Sequence, residues 1–287
     1  MQDGGGLYYM SSSFMIDTLI GLPDYFGDRY AWSLDEYLEM EQNLPEGTIM
    51  RNYIDRMTLI EDMSAYYMDK TVDWEAGTCR FDSEAYISIL DYCVSIRTPG
   101  PVSADNDVLV NGMFLCSPNL LEGKTRLEQV WTLFPWTLAA EDKFAGQALS
   151  WIGYPTFDGG CGSRVQLSNR VSVCADSENA DGCWAFLKFL LTWESAENSL
   201  KWNGLPVYRP LFDEVVSLAA QDEKMTIEDG ERLAAFAAQL TYIPPATHEL
   251  YGIVRDEAEK LLNGTRNSRE TSAAIQSRAA LYVMERS

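Results

Sequence analysis

Aromatic residues at loop edges are the first chemistry that the sequence offers. Tyr8, Tyr9, Trp136, Trp151, Tyr154, Trp202 and Tyr208 fall in turn-rich segments rather than on helix stripes. A flat apolar face with a polar rim suits the C–H faces of a sugar ring, although each residue alone reads as readily as an ordinary core or surface aromatic. Arg209, after Leu-Pro-Val-Tyr, carries the fork that clamps a carboxylate or hydroxyl, or that pairs with one of 43 acids. The acidic pairs Asp35/Glu36 and Glu61/Asp62 have the residue types of a glycosidase, yet a chain this acidic yields such pairs by chance on solvated faces.

Other chemistries are excluded or forced through few residues. The single histidine, His248, rules out a multi-His metal centre and makes any Ser-His-Asp triad depend on it; after Pro-Pro-Ala-Thr it reads as a helix-start residue. There is no GxSxG, no Walker loop and no strand–GxGxxG–helix, and no metal or cofactor is expected. Six cysteines, at 79, 93, 116, 161, 174 and 183, form no Cys-x-x-Cys pair and read as small buried hydrophobes; the 161/174/183 group holds the only candidates for a disulfide.

The balance of 22 Lys+Arg against 43 Asp+Glu gives a formal charge of −21 over 287 residues. Sequence-blind binding to nucleic acid rests on clustered cations, so that class is excluded, and docking on anionic lipid is disfavoured. Hydrophobic residues make up 46% of the chain, enough to offset the entropy of folding. The N-terminus has no basic start and no long apolar stretch, so it does not read as a signal peptide. The most apolar segment, WAFLKFLLTW at 184–193, is too short to span a bilayer and carries Lys188; it is expected to be a buried helix packed on a sheet.

The elements that must position these residues alternate between strand and helix. After an apolar run at 7–10, Ser33 and Glu36 form a capping box that starts a helix in WSLDEYLE. Asp82 and Ser83 precede Tyr86, Ile87, Leu90 and Val94 at helical spacing. The LVNGMFLCS and QVWTLFPW runs read as strands, SWIGYPTFDGGCG (150–162) as a loop leaving a strand, and RVSVC (170–174) as a strand. Trp184, Leu187, Leu190 and Leu191 make one stripe of a helix behind the Ser177–Asp181 turn. From about 227 the chain is helical, with Asn263-Gly264 ending one helix and Asn267/Glu270 capping the next. This is an α/β architecture, with helices gathered at the end.

Taken together, GLYYMSSSFMIDTLIG (6–21), WSLDEYLE (32–39), VDWEAGTCRFDSEAYISILDY (72–92), LLEGK (120–124), SWIGYPTFDGGCG (150–162), SVCADSENADGCWAFLKFLLTWE (172–194), NGLPVYRPLFDE (203–214) and LLNGTRNSRETSAAIQSRAALYV (261–283) resemble the extracellular solute-binding proteins of ABC importers, in particular the maltose-binding-protein-like sugar binders. The order of these segments matches that family from its first inter-lobe crossover to its C-terminus. The resemblance implies an α/β, two-lobed periplasmic-binding-protein-like (type II) fold whose N-terminal lobe is incomplete, because the first α/β segment, the export signal and the lipid-bearing cysteine of the family have no counterpart here.

It further implies a non-enzymatic receptor, extracellular or at the cell surface as a lipoprotein, monomeric, that closes on a carbohydrate and presents it to permease subunits. A fragment of a carbohydrate-active, glycosidase-like enzyme is the alternative. On this resemblance residues 1–13 are a crossover strand, 14–165 the C-terminal lobe, 166–220 the return to the N-terminal lobe, and 221–287 helices closing back on the C-terminal lobe. Trp136 and Tyr251 fall at stacking positions, with Arg255 one helical turn beyond Tyr251; Tyr154 and Asp158 line the loop after IGYP. Tyr8, Ser12 and Ser13 lie on the crossover that faces the cleft, and Trp202 and Arg209 complete the expected ligand set.

Overall fold

The sequence MSSSFMIDTLIG places apolar side chains on both faces of one strand from Ile16 onward, which demands a covered layer on each side. The computed structural model describes residues 2–3, 6–7, 9–51, 55–96, 108–110, 113–194, 204–243 and 249–286, and it provides those layers. A hairpin of β1 (Gln2–Asp3) and β2 (Gly6–Leu7) leads into β3 (Met10–Gly21), the centre of the sheet. There follow α1 (Pro23–Phe26), α2 (Leu34–Gln42), β4 (Ile49–Arg51), α3 (Arg56–Thr71) and α4 (Glu84–Ser95). The hairpin β5 (Val108–Val110) and β6 (Met113–Leu115) precedes α5 (Pro118–Leu121), β7 (Thr125–Trp131), α6 (Thr137–Ala145) and β8 (Arg164–Val171). The chain continues through α7 (Ala180–Phe189), β9 (Leu205–Pro206), α8 (Arg209–Gln221), α9 (Ile227–Ala237), α10 (Glu249–Leu262) and α11 (Ser268–Met284).

The strand order is β4-β7-β3-β8, with β9 also paired to β3; β4 runs parallel to β7, and β3 is antiparallel to β7, β8 and β9. On one face Leu19 and Leu127 join Tyr37, Ile60, Tyr86, Leu90, Val254 and Ile275, so α2, α3, α4, α10 and α11 share a single core. On the other face Ile16 and Ile20 pack with Leu120, Leu138, Trp151, Phe212, Leu233 and Phe236. The expected helix starts are present: Ser33/Glu36 and Asn267/Glu270 form complete capping boxes, and the Ser83 hydroxyl accepts from the Tyr86 N–H.

Three expectations are corrected. The strand read at 170–174 is β8, Arg164–Val171; its partner β3 begins at Met10, opposite Val171, so residues 172–174 have no strand partner among the described residues. The strand in QVWTLFPW stops at Trp131, because the Thr132 hydroxyl accepts the Ile16 N–H at 2.7 Å and the Thr137 hydroxyl accepts the Phe134 N–H at 3.0 Å, which turns the chain into α6. The helix of the 184–193 segment is not buried: only Leu187 faces the core, while Trp184, Phe186 and Phe189 are 45%, 55% and 43% exposed. Among the described residues no helix is long and apolar enough to cross a membrane. All six cysteines are free; Cys79, Cys93 and Cys116 are buried and the other three are not.

Candidate functional site

Strand alternation builds the site. Arg51 of β4, Gln129 of β7, Asp17 of β3 and Arg164 of β8 form a polar row across neighbouring strands, on the face that α3 covers. Asp17 and Arg164 are directly opposed in the β3–β8 register, and Asp17 Oδ2 lies 2.7 Å from the Arg164 guanidinium. Gln129 joins the row at its centre, accepting from Arg51 at 2.8 Å and donating to Asp17 Oδ1 at 2.8 Å. The Tyr154 hydroxyl donates to the same Asp17 oxygen at 2.7 Å. From α3 above, Asp62 accepts a hydrogen bond from the second arm of Arg164.

Burial and charge oppose each other here. Asp17 is 0% exposed and Arg164 8%. Burial pushes the Asp17 carboxyl upward against the pull of Arg164, Tyr154 and Gln129. For Arg164, burial disfavours the cation, but Tyr154, Asp17 and Asp62 outweigh it and hold the guanidinium charged. The ring of Tyr154 lies 4.2 Å from that guanidinium and 5.2 Å from that of Arg51, so one aromatic ring serves two cations. Tyr154 reaches this position because Gly162 passes close behind it: a Cβ at 162 would stand 2.0 Å from the Tyr154 carbonyl oxygen.

In front of this row lies a cavity of about 330 Å³, walled by Asp17, Arg51, Asp55, Thr58, Leu59, Asp62, Gln129, Trp131, Arg164 and Gln166. Amide, guanidinium, hydroxyl and carboxylate groups line it beside the exposed indole of Trp131, a lining suited to polyhydroxylated molecules. Behind it Tyr66, Phe157 and Tyr242 form an edge-on aromatic group on which Tyr251 packs. Burial, and next the charge of Asp62, push the Tyr251 hydroxyl up to about 12.

Four residues singled out from the sequence gather in this neighbourhood. Tyr154 is in the network, and the Asp158 carboxylate accepts from the Tyr66 hydroxyl at 3.0 Å. Tyr251 leans on the aromatic group, and Arg255, one turn along α10, pairs with Glu61 at 2.5 Å. Ser12 and Ser13 are buried in β3, with Ser13 on the Asp17 face and its hydroxyl without a partner among the described residues. Trp136 and Arg209 stand elsewhere: Trp136 stacks on Phe134 at 5.0 Å with Lys224 4.5 Å from its ring, and exposed Arg209 pairs with Asp213 at 2.8 Å. Tyr8, Trp202 and His248 lie outside the described residues. The sequence reading missed Asp17 and Arg164. Their signal was a lone carboxylate inside the apolar run FMIDTLIG, since a charge buried there requires a partner.

No family model and no curated protein matches the chain. Solved structures do. The sugar-binding protein MalE from Xanthomonas citri superposes with a TM-score of 0.62 at 13% identity, covering 99% of this chain and 73% of that one. The fold is that of the extracellular solute-binding proteins. The GacH receptor of Streptomyces glaucescens, solved unliganded and with acarbose, gives 0.58 at 17% identity over 99% of this chain and 73% of that chain. An extracellular solute-binding protein family 1 member from Alicyclobacillus acidocaldarius gives 0.56 at 14% identity, with 99% and 74% covered. The α/β periplasmic-binding-protein-like architecture expected from the resemblance is thus present, and this chain corresponds to about three-quarters of the solute-binding proteins' length.

Proposed function

We propose that the chain is the ligand-capturing component of a carbohydrate importer, working outside the membrane without catalysing a reaction and handing its sugar to permease subunits. The observation that carries this reading is the state of the acids around the cavity. Asp17 and Asp62 share the guanidinium of Arg164, and Asp55 accepts from the Thr58 N–H and hydroxyl at the start of α3. Hydrolysis of a glycoside needs one carboxylic acid poised to give up its proton and a second carboxylate to assist. Here the buried acid points into the sheet toward Tyr154 and Gln129, so these carboxylates orient cations and amides that recognise hydroxyl groups. Solute-binding relatives in fold include proteins solved with acarbose and with cycloalternan, which favours an oligosaccharide. The carbohydrate would lie against Trp131 and Tyr251, with the polar row beneath it.

A thermal-shift screen against mono- and oligosaccharides tests this, because a ligand that binds only the folded state raises its melting temperature by mass action. The expected result is a concentration-dependent rise with at least one sugar and no release of reducing ends from a glycoside panel. Cleavage abolished by Asp62→Asn would replace this reading with that of a glycosidase.

A further inference from the structure

Three cysteines sit outside the core: Cys174 is exposed, and Cys161 and Cys183 are half-buried. Strand β8 lies between Cys161 and the other two along the chain. Cys161 precedes β8 and Cys174 follows it, and eight strand residues rising about 3.3 Å each set the two ends of that strand roughly 25 Å apart. A disulfide requires Cα atoms within about 7 Å, so those two cannot join.

Cys183 stands instead across a tight reversal from Cys174. The Ser177 N–H donates to the Cys174 carbonyl at 3.1 Å, closing a four-residue turn that brings the Cα atoms of 174 and 177 within about 7 Å. The Ser177 hydroxyl lies 3.6 Å from Cys183 Sγ and accepts from the Asn179 N–H at 3.3 Å. Asn179 in turn caps α7, and the Cys183 N–H closes the helix's first turn on the Asn179 carbonyl at 3.0 Å. One serine therefore touches both cysteines, the first through its backbone and the second through its hydroxyl.

We propose that Cys174 and Cys183 form a reversible disulfide that fastens the start of α7 to the end of β8. The Cys174 thiolate attacks a small-molecule disulfide such as oxidised glutathione and releases one glutathione thiol. Cys183 then displaces the second glutathione from the mixed disulfide, so two protons and two electrons leave the protein as the Sγ–Sγ bond forms. The bond replaces the Ser177–Cys183 contact and ties down the helix whose outer aromatic face is uncovered.

Trypsin cuts after Arg170 and Lys188 and at no residue between them, so both cysteines fall in one peptide, 171–188. The native protein, equilibrated with glutathione disulfide, acid-quenched and digested, should yield this peptide two hydrogen masses light and inert to alkylation. A second cut after Glu178 should add one water yet leave the halves joined until they are reduced. Cys174→Ser should abolish the light species. A bond that includes Cys161, or a peptide recovered with both cysteines as separate glutathione adducts or as alkylated thiols, overturns the proposal.

Discussion

Replacing Arg164 by methionine keeps an unbranched apolar stem on β8 and removes the charge. It leaves the fully buried Asp17 with only the Tyr154 hydroxyl at 2.7 Å and Gln129 at 2.8 Å in place of three partners. Breaking a buried pair from one side costs roughly 3–5 kcal/mol, because the surviving charge has lost both water and counter-ion. At roughly 2–4 °C per kcal/mol for a domain of this class, the melting temperature should fall by about 10 °C. The loss carries a pH signature. Burial already raises the Asp17 carboxyl, and without Arg164 it rises further. The folded state then keeps a proton that the unfolded chain has released, so stability is retained below the ordinary carboxylate range and lost as pH climbs through the raised value. Urea melts should therefore show a smaller deficit near pH 5 than near pH 8, and the D17N/R164M double variant should recover most of it by removing the stranded charge. A deficit below about 1 kcal/mol near pH 8, or a double variant no better than R164M, would refute the reasoning.

Glu141 offers a second titration: buried in α6, it accepts from the Cys116 N–H at 2.8 Å, and burial pushes its carboxyl up to about 7. Stability should fall as pH rises between about 4.5 and 7, by about 3 kcal/mol, and Glu141→Gln should flatten that slope in urea melts. Tyr251→Ala and Trp131→Ala should each weaken sugar binding by about one to two decades in titration calorimetry, with losses of stability below the roughly 3–5 kcal/mol of a sealed core aromatic. Gly162→Ala forces a Cβ to within 2.0 Å of the Tyr154 carbonyl; the loop must shift, at roughly 1–3 kcal/mol by thermal melt and with loss of the Tyr154 placement on Asp17.

Local signals in the sequence reported faithfully, and non-local ones did not. Ser33/Glu36 and Asn267/Glu270 mark helix starts because a capping box is complete within four residues. The α/β class followed from alternating periods, and Tyr154, Asp158, Tyr251 and Arg255 came from the family resemblance to one neighbourhood of the structure. Asp17 and Arg164 are almost 150 residues apart, so their pairing exists only in the β3–β8 register, which no local pattern encodes. The end of β8 was misjudged for the same reason: Ser172 to Cys174 alternate like a strand, but pairing stops where the partner strand starts. In α7 the apolar stripe was legible, while the layer needed to cover Trp184, Phe186 and Phe189 is a tertiary property.

The central position of β3 has a consequence for biosynthesis. Asp17 meets its β7 partner Trp131 only after roughly 110 more residues have been made, and Met10 meets Val171 after roughly 160. At about 5–20 residues per second, Ile16, Leu19 and Ile20 wait on the order of ten seconds without a strand beside them. During that interval the emerging segment is a natural client for a holding chaperone, since its apolar side chains have neither layer of the core to cover them.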